Sequence, residues 1–169
     1  MRRLLNLLYD GAGYAAAVCM VLTLLAVMAN IVDRFVPMPF RGLDAYAGYA
    51  MAGAGFLALA HTLKRGEHIR VTLVMGLVGP RARRALDLWS LACATVLSGA
   101  LAWFSIRLVA NSIAFHDIST GNDATPLWIP QLTMAIGTTV FCIAFLDELV
   151  LRLRGVEAAA ASDEPLHME

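Results

Sequence analysis

The groups in this 169-residue chain that could ligate a metal, carry electrons or relay protons are four histidines, three cysteines and 13 carboxylates. A membrane haem needs two axial ligands at one depth on facing helices. His61 lies at one end of an apolar run with His68 just beyond it, and His116 lies beyond the far end of the next. If those runs cross a bilayer, the histidines stand about 30 Å apart in depth. Cys19, Cys93 and Cys142 fall in three different apolar runs, with no C-x-x-C among them, and read as small packing residues. A proton-coupled carrier needs an ionisable side chain in mid-membrane, and no Asp, Glu, Lys or Arg occupies the middle of any apolar run. There is no phosphate loop, no nucleophile paired with a base and no Gly/Pro-broken span. The chain is therefore not expected to be an enzyme, to hold a cofactor or metal, or to bind nucleic acid.

The elements behind those positions are long and apolar. Apolar residues make up 59% of the chain, above the 45–50% or so of soluble domains, and they come in blocks. Spans of about 20 residues cross the hydrocarbon core, and four runs reach that length, at about 11–32, 45–63, 85–110 and 127–148. The expected fold is an all-α integral membrane domain of four transmembrane helices over residues 1–154, with a disordered tail at 155–169. The stretch 71–78 is too short to cross and is predicted to lie as an interfacial helix on the cytoplasmic side, between helices 2 and 3.

Charge sets the orientation. With the N-terminus inside, ten of the 13 basic residues (Arg2, Arg3, Lys64, Arg65, Arg70, Arg81, Arg83, Arg84, Arg152 and Arg154) are cytoplasmic, and Arg34, Arg41 and Arg107 are outside. This satisfies the positive-inside rule, so both termini are predicted to be cytoplasmic. Asp87 is expected to pair with Arg83 or Arg84 one turn back. Pro80 suits the first helical turn. In helix 2, ten of the 16 residues from Ala45 to Ala60 are Ala or Gly. Small residues let helices approach closely in lipid, so Gly48, Ala52, Gly53 and Gly55 are read as a packing interface.

The motif order adds a resemblance. Gly42-Leu43-Asp44-Ala45-Tyr46 opens helix 2, Lys64-Arg65-Gly66-Glu67-His68-Ile69-Arg70-Val71 follows it, Gly79-Pro80-Arg81 with Arg83 and Arg84 opens helix 3, and Thr125-Pro126-Leu127-Trp128-Ile129-Pro130-Gln131 precedes helix 4. Over about residues 5–152 this resembles the small membrane subunit of tripartite ATP-independent periplasmic (TRAP) transporters. The resemblance implies a non-catalytic subunit in the bacterial inner membrane. It would scaffold a large membrane subunit that carries sodium and substrate, while a periplasmic binding protein delivers an organic acid. Lys64, Arg65, His68, Arg70, Arg81 and Arg84 become candidates for contact with membrane phospholipid or the large subunit. Asp44, Asp117, Asn122 and Asp123 become candidates for docking the binding protein, with a helix cap the competing role for Asp44. The alternative reading is a stand-alone four-helix membrane assembly or sensor protein.

Overall fold

The computed structural model describes residues 2–36, 42–65, 79–121 and 123–153. They form four helices: α1 (Arg2–Asp33), α2 (Leu43–Lys64), α3 (Pro80–Ala114) and α4 (Trp128–Leu153). No strand is present among them, only an isolated antiparallel bridge between Ile118 and Pro126. The expected interfacial helix at 71–78 and the tail at 155–169 lie outside the described residues. α1, α3 and α4 are each long and apolar enough to cross a membrane. α2 is not among them, because its Gly and Tyr residues, with Asp44 and His61, dilute its hydropathy.

The helices pack in the order α1, α2, α4, α3, with only a light contact between α1 and α4. α1 runs antiparallel to α2, as the approach of Asp10 to His61 requires. α2 and α4 run parallel, in register from Gly53 beside Thr133 to Lys64 paired with Asp147. α3 runs antiparallel to α4, with Asp87 paired to Arg152. The outer helices meet the centre through buried seams, made mostly of small side chains, at three- and four-residue spacing. On α1 these are Tyr9, Ala12 and Ala16, all buried; on α3 they are Ser98, Ala102, Ser105, Val109 and Ser112. Such spacing keeps one stripe facing a neighbour along the helix.

The tightest crossing is between α2 and α4. A Cβ built on Gly137 would lie 2.5 Å from the carbonyl oxygen of Phe56, so the two backbones touch there. Between this point and the Lys64–Asp147 end, Tyr9, Ala12, Ala60, Val140 and Ala144 form a small buried cluster reaching into α1. Four hydroxyls inside the bundle bond back to their own helices, whereas the buried Tyr9 hydroxyl has no partner among the described residues. Thr138 donates to the Met134 carbonyl at 2.8 Å, Thr139 to Ala135 at 2.6 Å, Thr95 to Leu91 at 2.7 Å and Ser105 to Leu101 at 2.7 Å. These polar side chains are thus satisfied without cross-links between helices. The outward faces of α1 and α3 are apolar and exposed, including Tyr14, Met20, Leu25, Trp89, Trp103 and Phe104.

Gly137→Ala should therefore force α2 and α4 apart and destabilise the fold by about 1–3 kcal/mol, as overpacking does. Gly55→Ala, where a Cβ would meet nothing within 4 Å, should leave stability unchanged. Thermal unfolding of both variants in mild detergent checks the contrast.

Candidate functional site

Polar chemistry is concentrated at the two ends of the bundle. At the end carrying Arg3, Lys64, Arg83 and Arg152, close contacts between ionisable side chains join the helices in sequence. Asp10 on α1 lies 3.6 Å from His61 on α2. Lys64, in the last turn of α2, pairs with Asp147 of α4, and its ammonium also sits 5.2 Å from the ring centroid of Tyr9. Arg152 of α4 pairs with Asp87 of α3 and lies 3.4 Å from Glu148 on its own helix. The side chains in the Lys64–Asp147 and Arg152–Asp87 pairs are each only about a quarter exposed, so water screens them less than it would on an open surface. Gly13 makes room for this arrangement: a Cβ there would fall 2.8 Å from the His61 ring. A cavity of about 210 Å³ lies beside it, lined by Asn6, Tyr9, Asp10, His61, Lys64 and Arg65.

The opposite end is locked by hydrogen bonds from uncharged side chains around one carboxylate. α3 ends at Phe115, and His116 takes a left-handed conformation with φ 53°. The Asp117 N–H then donates to the Ser112 carbonyl at 3.0 Å and the His116 N–H to Ile113 at 3.4 Å. This is the double bond pattern that closes a helix, here without the usual glycine. The loop returns on itself, with the Ser119 N–H donating to the Thr125 carbonyl at 2.8 Å and the Leu127 N–H to Asp117 at 3.0 Å. Ser119 donates its hydroxyl to Asp123 at 2.9 Å. The Tyr49 hydroxyl of α2 lies 3.0 Å from both the Asp123 carboxylate and Ser119. The Thr125 and Tyr46 hydroxyls lie 3.2 Å apart, and Tyr46 stacks edge-on against Tyr49 with centroids 6.2 Å apart. Gly42, the N-cap of α2 with φ 83°, closes the lock from the other loop; a Cβ there would fall 2.6 Å from that of Asp123. Hydrogen bonding from Thr125 is the largest effect on the Asp123 carboxyl; burial opposes it, and further hydrogen bonds from Ser119, the backbone and Tyr49 leave the carboxyl below its usual range.

The structure distributes the residues singled out from sequence between these two ends. Lys64 is engaged inside the bundle, whereas Arg65 and Arg84 are exposed and Arg81 lies in the first turn of α3. His68, Arg70 and Asn122 lie outside the described residues. Asp123 is built into the lock; Asp44 and Asp117 are exposed. Gly42 rather than Asp44 occupies the N-cap, which puts Asp44 in the first turn, where its charge suits the helix dipole. Asp87 pairs with Arg152 instead of with Arg83 or Arg84, because α4 brings a guanidinium across the bundle to it. Gly53 is buried between Cys19 and Thr133, while Gly48, Ala52 and Gly55 face outward on α2. Gly137, the α3 seam and the Tyr49–Asp123 lock do not stand out in the sequence. The small residues at heptad spacing in α3 are a signal that could have found the seam. No group of three or more His, Cys, Asp or Glu side chains suited to a metal exists among the described residues.

Two outcomes follow. Removing either member of the Asp87–Arg152 pair should cost about 1–3 kcal/mol by stranding its partner. The double variant Asp87→Asn/Arg152→Gln should cost less than the sum of the single changes, as measured by a thermodynamic cycle of unfolding in detergent. At the other end, the lowered Asp123 pKa favours the ionised form in the folded state. Its contribution is then complete above the ordinary aspartate value near 3.9 and is lost as pH falls through the lower folded value. Amide exchange at Ser119 and Leu127 should accordingly be unchanged between pH 7 and pH 5 once corrected for intrinsic rates, and Asp123→Asn should raise it at both.

A family model described as tripartite ATP-independent periplasmic transporters, DctQ component, matches residues 23–155. That interval takes in the last part of α1, all of α2 to α4 and most of both polar ends. No curated protein and no solved structure matched the chain. With three helices able to span a membrane and a family match over most of its length, this chain is a multi-pass membrane protein belonging to the DctQ component family of tripartite ATP-independent periplasmic transporters.

Proposed function

We propose that the chain crosses the bacterial inner membrane four times with both termini cytoplasmic. In that position it is the rigid small subunit that scaffolds a large transport subunit during sodium-coupled uptake of an organic acid delivered by a periplasmic binding protein. The observation that carries this reading is the placement of charge. The ion pairs that join the described helices lie together at one end, and the carboxylate lock lies at the other. A substrate or sodium site near the bilayer midplane needs polar groups aimed inward, and the hydroxyls there are already spent on their own helices. The transport chemistry is therefore assigned to the large subunit.

α2 is included among the spans because it runs between α1 and α4, parallel to α4 and level with it at Lys64 and Asp147. The positive-inside rule puts Arg65, Arg83, Arg84 and Arg152 in the cytoplasm. It puts the Tyr49–Asp123 lock, with exposed Asp44 and Asp117 around it, on the periplasmic side. That platform is where a binding protein would land. Exposed Arg65 and Arg84 are placed to meet anionic lipid.

Deleting this chain while retaining the large subunit should abolish sodium-dependent uptake of the cognate acid. Full uptake without it would refute the scaffold reading. For orientation, Thr120→Cys should react with an impermeant maleimide in spheroplasts and Arg65→Cys only after lysis, in a background lacking the native cysteines. The reverse pattern would invert the topology.

A further inference from the structure

Arg107 lies outside everything assigned so far. It is on the exposed face of α3, and among the described residues it makes no ion pair. Its depth is set from the opposite end. The Asp87–Arg152 pair marks one boundary of the bundle, and Leu88–Arg107 is 20 residues, or about 30 Å of helix. That equals the thickness of the hydrocarbon core, so Arg107 stands at the headgroup level of the leaflet nearer the Tyr49–Asp123 lock. Beside it an open groove of about 440 Å³ runs between α3 and α4, lined by Leu101, Phe104, Ser105, Leu108, Asn111 and Met134. Ser105 is spent on its own helix, its hydroxyl donating to Leu101 at 2.7 Å, so the inner part of the trough is apolar. Arg107 and Asn111 are one helical turn apart and share its outer rim.

We propose that this groove holds one phospholipid, with its phosphate on the Arg107 guanidinium and Asn111 amide and an acyl chain against Leu101, Phe104, Leu108 and Met134. The fit is one of chemical complementarity. An unpaired cation at the hydrocarbon boundary needs an anion to be stable there, and a guanidinium binds a phosphate through two parallel hydrogen bonds. The bilayer supplies phosphate at that depth already attached to a chain that fits an apolar trough. The lipid would cover an open seam between α3 and α4 and hold the two helices together beyond the reach of the Asp87–Arg152 pair.

The full-length chain, purified in mild detergent and titrated with phosphatidylglycerol, tests this by native mass spectrometry. The wild type should retain one phosphatidylglycerol that Arg107→Gln binds about tenfold more weakly, the loss expected for one charge-assisted contact. Leu108→Trp, which fills the trough without changing charge, should lose it too. Equal retention by all three proteins overturns the proposal. So does an Arg107→Gln variant that keeps the lipid but fails to co-purify with the large membrane subunit, which would assign the cation to a carboxylate of that partner.

Discussion

The backbones of α2 and α4 touch at Gly137 and Phe56, and the rest of the bundle is arranged around that contact. In lipid there is little hydrophobic gain in bringing two apolar helices together, so close packing of small surfaces supplies the association. In α2 ten of the 16 residues from Ala45 to Ala60 are Ala or Gly, which lets α4 lie against it on one side and α1 on the other. α3 then has only α4 to pack on, and it does so through its own seam of Ser98, Ala102, Ser105, Val109 and Ser112. The result is an open row of helices, with broad apolar faces on the outer members.

Charge plays a complementary part. Since the middle of the bundle has no ionic contacts among its described residues, register along the helix axes is set at the ends. Lys64–Asp147 fixes α2 against α4, Arg152–Asp87 fixes α3 against α4, and Tyr9 over Lys64 brings in α1. At the other end Tyr49 joins α2 to the α3–α4 loop through Asp123. Contacts at both ends oppose sliding of the helices along one another, which is what the proposed scaffold role requires.

Much of this is legible in the sequence. Blocked apolar runs point to the four helices, Pro80 marks the start of α3, and the order of motifs points to the family that the wider comparison shows. What cannot be read are contacts between residues far apart in the chain. Asp87 has two basic neighbours one turn away, and nothing local reveals that Arg152, 65 positions on, takes it. In α2 small residues are so abundant that spacing does not separate Gly53, which is buried, from Gly48 and Gly55, which are open. Gly137 looks ordinary among its neighbours because its role depends on the backbone of another helix. Tyr49 and Asp123 are 74 residues apart, and only the folded loops bring them together.

A fixed scaffold must keep its shape while the assembled transporter works. The most direct measurement is a pulsed dipolar distance between spin labels at Arg65→Cys and Arg83→Cys, with Cys19, Cys93 and Cys142 replaced by Ala, in the complex with the large subunit. A rigid subunit gives the same narrow distance distribution with and without sodium and substrate. A distribution that shifts or splits between those conditions would show the helices moving against one another and would contradict the scaffold role.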